Sequence, residues 1–239
     1  MLRFEFVLRT LDEVAPWGGD RPTLHWFGLT DGRFGISGDG WRILPDTDYY
    51  VVRLWEDVIV LRQVLEEPVP EDLRWFVDGS EPRREWPEGD WSAEVDAAID
   101  LQGDFDLPLH YLERPPAVRF WRHIVDGRDV VTVSQRIGER ARDCYEGPPV
   151  LEVDVPTAEF FAAVDDFDRR LIAAMDERVA ALERSGPPPG VDLDVRQLRR
   201  EHDERSTWLR QRLSLPRTVD WAAVRAGAAE TAAWPVDQD

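Results

Sequence analysis

Histidine and cysteine side chains can bind a metal ion or act as a base or nucleophile in catalysis. This sequence of 239 residues contains few of either. The chain has four histidines and one cysteine. His25 would need a second ligand at metal spacing, and no Cys-x-x-Cys, His-x-x-x-His or His-Glu-x-x-His pattern occurs. A reactive thiolate at Cys144 would need a base such as His123 in contact with it. We therefore expect an ordinary strand histidine at His25, an incidental cysteine at Cys144 and no zinc site.

Closely spaced aspartates could hold a divalent cation for diphosphate or nucleotide-sugar chemistry. Such groups are Asp46-x-Asp48, Asp104-x-Asp106, Asp192-x-Asp194 and Asp165-Asp166-x-Asp168. In a chain with so many acidic residues, such groups also arise by chance. Asp165, Asp166 and Asp168 lie mostly outside the apolar stripe of their predicted helix, which favours a solvent-exposed face over a metal site. No Walker loop, dinucleotide-binding glycine fingerprint or Gly-x-Ser-x-Gly elbow is present. The sequence thus predicts no catalytic residue, no metal site and no cofactor.

The segment from Asp78 to Asp106 is the most acidic part of the chain and carries aromatic residues, including Phe105, among its carboxylates. Exposed rings can anchor a basic partner while carboxylates steer it. Pro87 and Gly89 separate the two tryptophans, and we expect this break to splay both rings outward. The alternative is that both rings are buried at the edge of the hydrophobic core. The predicted partner-binding residues are Glu85, Trp86, Glu88, Asp90, Trp91 and Asp104.

The charge balance limits the classes of partner. The chain has 48 acidic and 29 basic residues and a formal net charge of -19. Such a surface repels nucleic acids and anionic membranes, so neither is an expected partner. Acidity favours basic partners, or it simply keeps the protein soluble. No apolar run has the length of a membrane helix and no signal peptide is recognised, so we expect a cytoplasmic protein.

Alternating apolar residues predict strands in several places. Residues 2–9 alternate strictly, as in a half-buried strand. Asp31-Gly32 is predicted to turn a hairpin between Leu24–Trp26 and Phe34–Ile36, with Gly32 at positive φ. A second turn is expected at residues 38–40. "AVRFWRHIV" and "VVTVSQRI" form a further predicted hairpin around Asp126-Gly127, and "VLEVDV" is a third strand of that part.

Periods of three and four residues predict helices in the intervening and later segments. The first predicted helices are one over about residues 51–65, a short one after Pro70, and one from Ser92. Residues 157–185 and 194–213 form two long helices that are expected to pack as an antiparallel hairpin around "SGPPPG". Residues 221–232 form a last, alanine-rich helix. Strands and helices do not alternate one for one, so we predict an α+β fold. It would be a single domain over 1–239, strand-rich over 1–155 and helical over 157–232.

Three segments together resemble a known family. "LHWFGLTDG", "DYYVVRLWEDV" and "PAVRFWR", followed by "FFAAVDDFDRRLIAAMDERV", are similar to an uncharacterised actinobacterial family of single-domain proteins, one of the domains of unknown function. The similarity extends over most of residues 1–213. The resemblance implies one domain and an actinobacterial source, and it implies no activity.

The function favoured by these observations is that of a non-catalytic acidic interaction protein. It would be immunity-like or accessory and would bind a basic protein, such as a toxin. Two alternatives stay open. One is an enzyme with a dispersed active site that uses His25 or a pair of acids. The other is a small-molecule sensor with an aromatic pocket lined by Trp26, Trp41 and Trp121. The sequence leaves the oligomeric state open.

Overall fold

A computed structural model describes residues 1–82, 84–145 and 148–237. The strands in chain order are β1 Arg3–Leu8, β2 Asp31–Gly38, β3 Trp41–Tyr50, β4 Ala117–Val125, β5 Arg128–Arg136 and β6 Val150–Pro156. The helices are α1 Val51–Val64, α2 Arg74–Val77, α3 Ala93–Asp104, α4 Thr157–Ser185, α5 Val195–Arg205, α6 Trp208–Ser214 and α7 Trp221–Ala232. The two antiparallel sheets and the helices confirm the α+β class.

The chain forms two compact units, each assembled from two stretches of sequence. Unit 1 comprises Met1–Arg62 and Ala158–Leu215, and unit 2 comprises Gln63–Thr157 and Pro216–Asp239. Each unit therefore combines one three-stranded sheet with helices from the later part of the chain. The single-domain organisation stays a prediction.

The sheet of unit 1 has the antiparallel order β1-β2-β3. Alternation in β1 buries Leu2 and Phe4 and leaves Val7 exposed, as its pattern predicts. The turn at residues 38–40 is confirmed, because it joins β2 to β3 and Gly40 has a φ of 82°. A left-handed φ of this kind favours glycine.

The predicted turn at Asp31-Gly32 is wrong. Both residues open β2, which the chain enters from a 3₁₀ turn at Gly28–Thr30. Gly32 pairs with Leu8 of β1 and with Tyr49 of β3. Asp-Gly makes a hairpin only where its two flanking segments pair with each other. Here the strand that follows pairs with two other strands, so the dipeptide lies inside the sheet.

Helix α4 carries the apolar stripe that the sequence predicts. Its buried members in unit 1 are Phe160, Val164, Phe167, Leu171, Met175, Val179 and Leu182. Phe167 stacks on Phe4 of β1 with ring centroids 5.5 Å apart, so the stripe covers the sheet. Burial of such side chains is the main source of stability for a helix in a protein.

The helical hairpin of unit 1 is antiparallel, with a break that periodicity did not indicate. Arg199 of α5 contacts Glu183 near the end of α4, whereas His202 lies 3.5 Å from Asp176, further back along α4. Asp194 caps α5 by accepting a hydrogen bond from the Gln197 amide. The predicted helix over 194–213 is divided at residues 206–207 into α5 and α6.

Unit 2 contains the antiparallel sheet β4-β5-β6 and the helices α3 and α7. The predicted hairpin turn is confirmed, because Asp126 and Gly127 both have positive φ, 51° and 73°. The helical segment predicted from Ser92 is α3, and Ser92 caps it by accepting a hydrogen bond from the Val95 amide. Gly227 of α7 lies against the backbone of Glu94, so α3 and α7 pack with their backbones in close approach.

Candidate functional site

Three tryptophans of unit 2 form one exposed group, which we call the tryptophan cluster: Trp86, Trp91 and Trp234. The ring centroids lie 5.3 Å apart for Trp86 and Trp91, 5.8 Å for Trp86 and Trp234, and 6.4 Å for Trp91 and Trp234. Trp86 is 57% exposed and Trp91 is 37% exposed. Large aromatic rings that contact one another at the surface are typical anchors of protein interfaces.

The C-terminal segment holds the cluster together. Arg84 and Val236 form an antiparallel β-bridge, and the Glu85 amide donates to the Pro235 carbonyl at 2.9 Å. The Arg84 guanidinium also donates to the carbonyl of Trp234 at 3.0 Å. These backbone contacts place Trp234 beside Trp86, although the two are far apart in sequence.

Trp91 is positioned by the start of α3. It directly precedes the capping residue Ser92, and its indole N–H donates to the Asp96 carboxylate in the first turn of the helix. Ser92 in turn donates to Glu230 of α7 at 2.9 Å. The indole N–H groups of Trp86 and Trp234 have no protein acceptor among the described residues, so an incoming partner could supply one.

Three carboxylates border the cluster, and we call them the acidic rim: Glu85, Glu88 and Asp90. All three are exposed, and none of them makes an ion pair within the described part of the chain. Their charge is therefore not neutralised by a neighbouring arginine of the described residues. A dense negative potential at the edge of an aromatic patch attracts cationic groups at distances of about a Debye length, roughly 8 Å.

Asp104, the sixth predicted partner-binding residue, lies apart from this group. It ends α3, whereas Trp91 precedes the start of that helix, and a helix of this length spans about 17 Å. Its carboxylate is paired with Arg217 at 2.5 Å. The structure thus brings together Glu85, Trp86, Glu88, Asp90 and Trp91, and it leaves Asp104 in a separate ion pair.

Two expectations about the aromatic residues of this segment need correction. Trp86 and Trp91 do not splay apart but contact each other at an interplanar angle of 55°, with Trp234 against both. Phe105 is buried in the core of unit 2 instead of joining the surface group. Trp234 was missed, because only the pairing of residues 84–85 with 235–236 brings it here, and no local pattern signals that pairing.

The two histidines considered for catalysis, His25 and His123, have structural partners. His25 lies in a turn instead of a strand, and its Nδ1 accepts the Gly28 amide at 3.0 Å while Trp17 packs edge-on against its ring. Cys144 is exposed. His123 is buried in the sheet of unit 2, where its Nε2 bonds the Thr132 hydroxyl at 2.7 Å.

The aspartates of α4 make contacts that suit a helix surface. Asp166 accepts from Arg170 at 2.6 Å and also from Arg169. Asp168 accepts from the Trp55 indole at 2.9 Å, and burial, aided by the nearby Asp165, raises the pKa of its carboxyl. Within residues 1–82, 84–145 and 148–237, no group of three His, Cys, Asp or Glu side chains could hold a metal ion.

The three tryptophans of the sensor alternative do not share a pocket wall in either unit. Trp26 is fully buried in unit 1, where it contacts Trp55. Trp121 is fully buried in the sheet of unit 2. Trp41 opens β3 of unit 1 and is partly exposed.

Comparison with known proteins identifies a family but no activity. A family model described as a family of unknown function (DUF5984) matches residues 3–227, which is nearly the whole chain. No curated protein and no solved structure is significantly similar to it. A search of the described helices finds none with the length and apolar character of a membrane span.

Proposed function

Because the chain belongs to DUF5984, a family of unknown function, we propose a function from its own surface: it binds a basic protein partner through the tryptophan cluster and the acidic rim. The observation that carries this proposal is the exposure of Trp86 and Trp91 in one contacting group. Tryptophan is enriched among the residues that dominate binding energy at interfaces.

The acidic rim favours a partner whose contacting surface is positively charged. Glu85, Glu88 and Asp90 are exposed and unpaired among the described residues, so approach of a cationic surface costs no broken ion pair there. Arginine side chains of a partner could lie over the indole faces while their charge meets the rim. The same arrangement repels anionic partners such as nucleic acids.

The finer interpretation is an immunity-like or accessory role. Against a basic toxin, notably a nuclease, the carboxylates of the rim would occupy positions that phosphates of a nucleic acid would otherwise take. The net charge of -19 extends the attraction beyond the contact surface. Surface chemistry supports this role, and we propose that it is carried out in the cytoplasm.

The test is to recover the partner and measure its binding kinetics. The protein is used to capture partners from its native host, and the recovered partner is then expressed for surface plasmon resonance. Replacing Glu85, Glu88 and Asp90 together by serine should slow association about tenfold at low salt and leave dissociation nearly unchanged. Trp91→Ala should mainly hasten dissociation, because an anchor ring is lost.

A matched variant controls for net charge. Asp20, Asp165 and Glu177 of unit 1 are exposed and make no ion pair within the described residues, so their joint change to serine removes the same charge elsewhere. This control should slow association far less than the rim variant. If the recovered partner binds Trp91→Ala as tightly as wild type, or if both triple variants slow association equally, the cluster is not the binding site.

A further inference from the structure

Two adjoining cavities in unit 2 lie beside the tryptophan cluster. The first has a volume of about 410 Å³ and is lined by residues of β4, β5 and the segment around Gly79. The second, of about 280 Å³, reaches Trp86 and Trp234. Gly79 and Arg119 line both cavities, so the two adjoin at these residues.

The first cavity contains a hydroxyl and a guanidinium that are both free to bind a ligand. Ser134 is only 4% exposed, lines the cavity, and has no hydrogen-bond partner among the described residues. Arg136, two residues further along β5, is exposed and makes no ion pair within that part of the chain. The Ser134 hydroxyl is not among the fully buried polar atoms that lack a partner, so water or a ligand in the cavity can reach it.

Arg119, in contrast, is already satisfied. Its guanidinium donates to both carboxylate oxygens of Asp106, at 2.6 and 2.8 Å, and to the Val77 carbonyl at 2.8 Å. Asp78 also lines the first cavity. Among the described residues that line this cavity, Arg136 is therefore the arginine without an ion pair, and the carboxylates of Asp78 and Asp106 disfavour a ligand with more than one negative charge.

The guanidinium groups of Arg119 and Arg136 lie close to the backbone at Gly79. Its φ is 72°, and a Cβ atom there would lie 3.4 Å from Nη1 of Arg119 and 3.9 Å from Nη2 of Arg136. A side chain at residue 79 would occupy space beside these guanidinium groups, where the two cavities adjoin. A ligand that begins at Arg136 can therefore extend past Gly79 into the second cavity.

Five apolar side chains form one part of the wall of the second cavity: Phe76, Pro82, Trp86, Ile99 and Trp234. The polar part of its wall comprises Glu81, Arg84, Gln102, Arg119 and Thr231. Ligand sites commonly combine such an apolar wall with a few polar groups that fix orientation. The apolar part of this wall suits an alkyl or aryl group, and the polar end of the first cavity suits a single anionic head group.

We propose that the two cavities bind a monocarboxylic acid with an apolar tail. The carboxylate accepts hydrogen bonds from Arg136 and from the Ser134 hydroxyl, and the tail passes Gly79 to lie against Trp86 and Trp234. Guanidinium and carboxylate groups match in charge and geometry, which fits the head group to Arg136. This site does not depend on the acidic rim or on a protein partner.

Calorimetric titration of the full chain with octanoate, butyrate and n-octylamine tests the proposal. Octanoate should bind at least about tenfold more tightly than butyrate, because each additional buried methylene contributes favourably. Octylamine, with the same tail and the opposite charge, should bind at least about tenfold more weakly than octanoate. Amide resonances of Gly79 and Ser134 should shift on addition of octanoate.

Arg136→Gln should weaken octanoate binding about tenfold or more. Arg128→Gln is the matched control, because Arg128 is an exposed arginine at the opposite end of the same strand, and it should leave the affinity unchanged. Both side chains are exposed, so both variants should fold, and melting temperatures verify this. Equal binding of octylamine and octanoate, or unchanged affinity in Arg136→Gln, would overturn the proposal.

Discussion

At Gly32 the backbones of β1 and β2 approach so closely that any side chain would collide with a neighbouring strand. A Cβ atom there would lie 2.3 Å from the carbonyl oxygen of Val7 and 2.9 Å from the Cα of Leu8. Glycine is needed here for space and not for a left-handed φ. The backbone atoms of β1 cannot move aside without disturbing the β1–β2 pairing.

We expect Gly32→Ala to lower the free energy of unfolding by about 1 to 3 kcal/mol, the usual cost of forcing atoms into a packed region. Gly19→Ala is the control, because a Cβ at Gly19 meets nothing within 4 Å. Urea denaturation of both variants measures the difference. Equal midpoints for the two variants would show that β1 and β2 do not approach as described.

The half-buried carboxyl of Asp168 makes stability depend on pH. Burial raises its pKa, with Asp165 adding to the effect and the Trp55 hydrogen bond opposing it. A carboxyl whose pKa is higher in the folded state binds more protons when folded. The free energy of unfolding contributed by Asp168 is therefore greatest below the ordinary aspartate pKa and falls as pH rises through the raised pKa.

Asp168→Asn keeps an oxygen that can accept from Trp55 and removes the half-buried charge. We expect this variant to be more stable than wild type at pH 7 and the difference to vanish towards about pH 3 to 4. Glu177→Gln, an exposed and unpaired carboxyl of the same helix, should show no such trend. Melting temperatures across this range are the measurement, and a stabilisation that grows on acidification would contradict the argument.

At the scale of elements, α3 and α7 depend on one glycine for their close packing. A Cβ at Gly227 would lie 2.0 Å from the Glu94 carbonyl oxygen and 2.8 Å from the Cβ of Ala98. Ser92 with Glu230 at one end, and Asp104 with Arg217 at the other, show that the helices run antiparallel. An added methyl group would push the helices apart along this contact.

Gly227→Ala should therefore destabilise unit 2 by about 1 to 3 kcal/mol, although alanine is the better helix former. The same change at Gly103 of α3, where nothing lies within 4 Å, should be neutral or stabilising by up to about 1 kcal/mol. Chemical denaturation measures the change in the free energy of unfolding for each variant. The same Gly→Ala change is expected to lower this free energy at residue 227 and to leave it unchanged or raise it at residue 103. A stabilising effect of Gly227→Ala would contradict the packing described for α3 and α7.

At the scale of the whole molecule, the excess of acidic residues opposes compaction. The formal net charge is -19, and self-repulsion of this kind destabilises a folded state at low ionic strength. Exposed ion pairs such as Arg225 with Asp72 act in the opposite direction, but each contributes only about 0 to 1 kcal/mol. Repulsion is expected to dominate because it involves the whole surface.

The melting temperature should accordingly rise when sodium chloride is increased from about 0.01 M to 0.15 M, over which the Debye length falls from about 30 Å to 8 Å. Sucrose at matched osmolality controls for effects that do not depend on charge. A fall in melting temperature over this range would mean that ion pairs outweigh the repulsion.

The sequence by itself determined those elements whose signal lies within a few neighbouring residues. The alternation of Leu2, Phe4 and Phe6 predicts β1, the stripe from Phe160 to Leu182 predicts α4, and Asp126-Gly127 predicts the β4–β5 turn. Periodicity of two or of about 3.6 residues follows from backbone geometry alone. The acidic and aromatic character of residues 85–91 could also be predicted, since it is a matter of composition.

The tertiary structure alone decided which distant segments meet. Gly32 lies in a strand because β1 and β3 pair with it, and Trp234 joins Trp86 and Trp91 because residues 84–85 pair with residues 235–236. Ser134 and Arg136 face a cavity only because the segment around Gly79 lies beside β5. Such contacts depend on how the whole chain closes, and the free energy of each pairing is shared among residues that no local window contains.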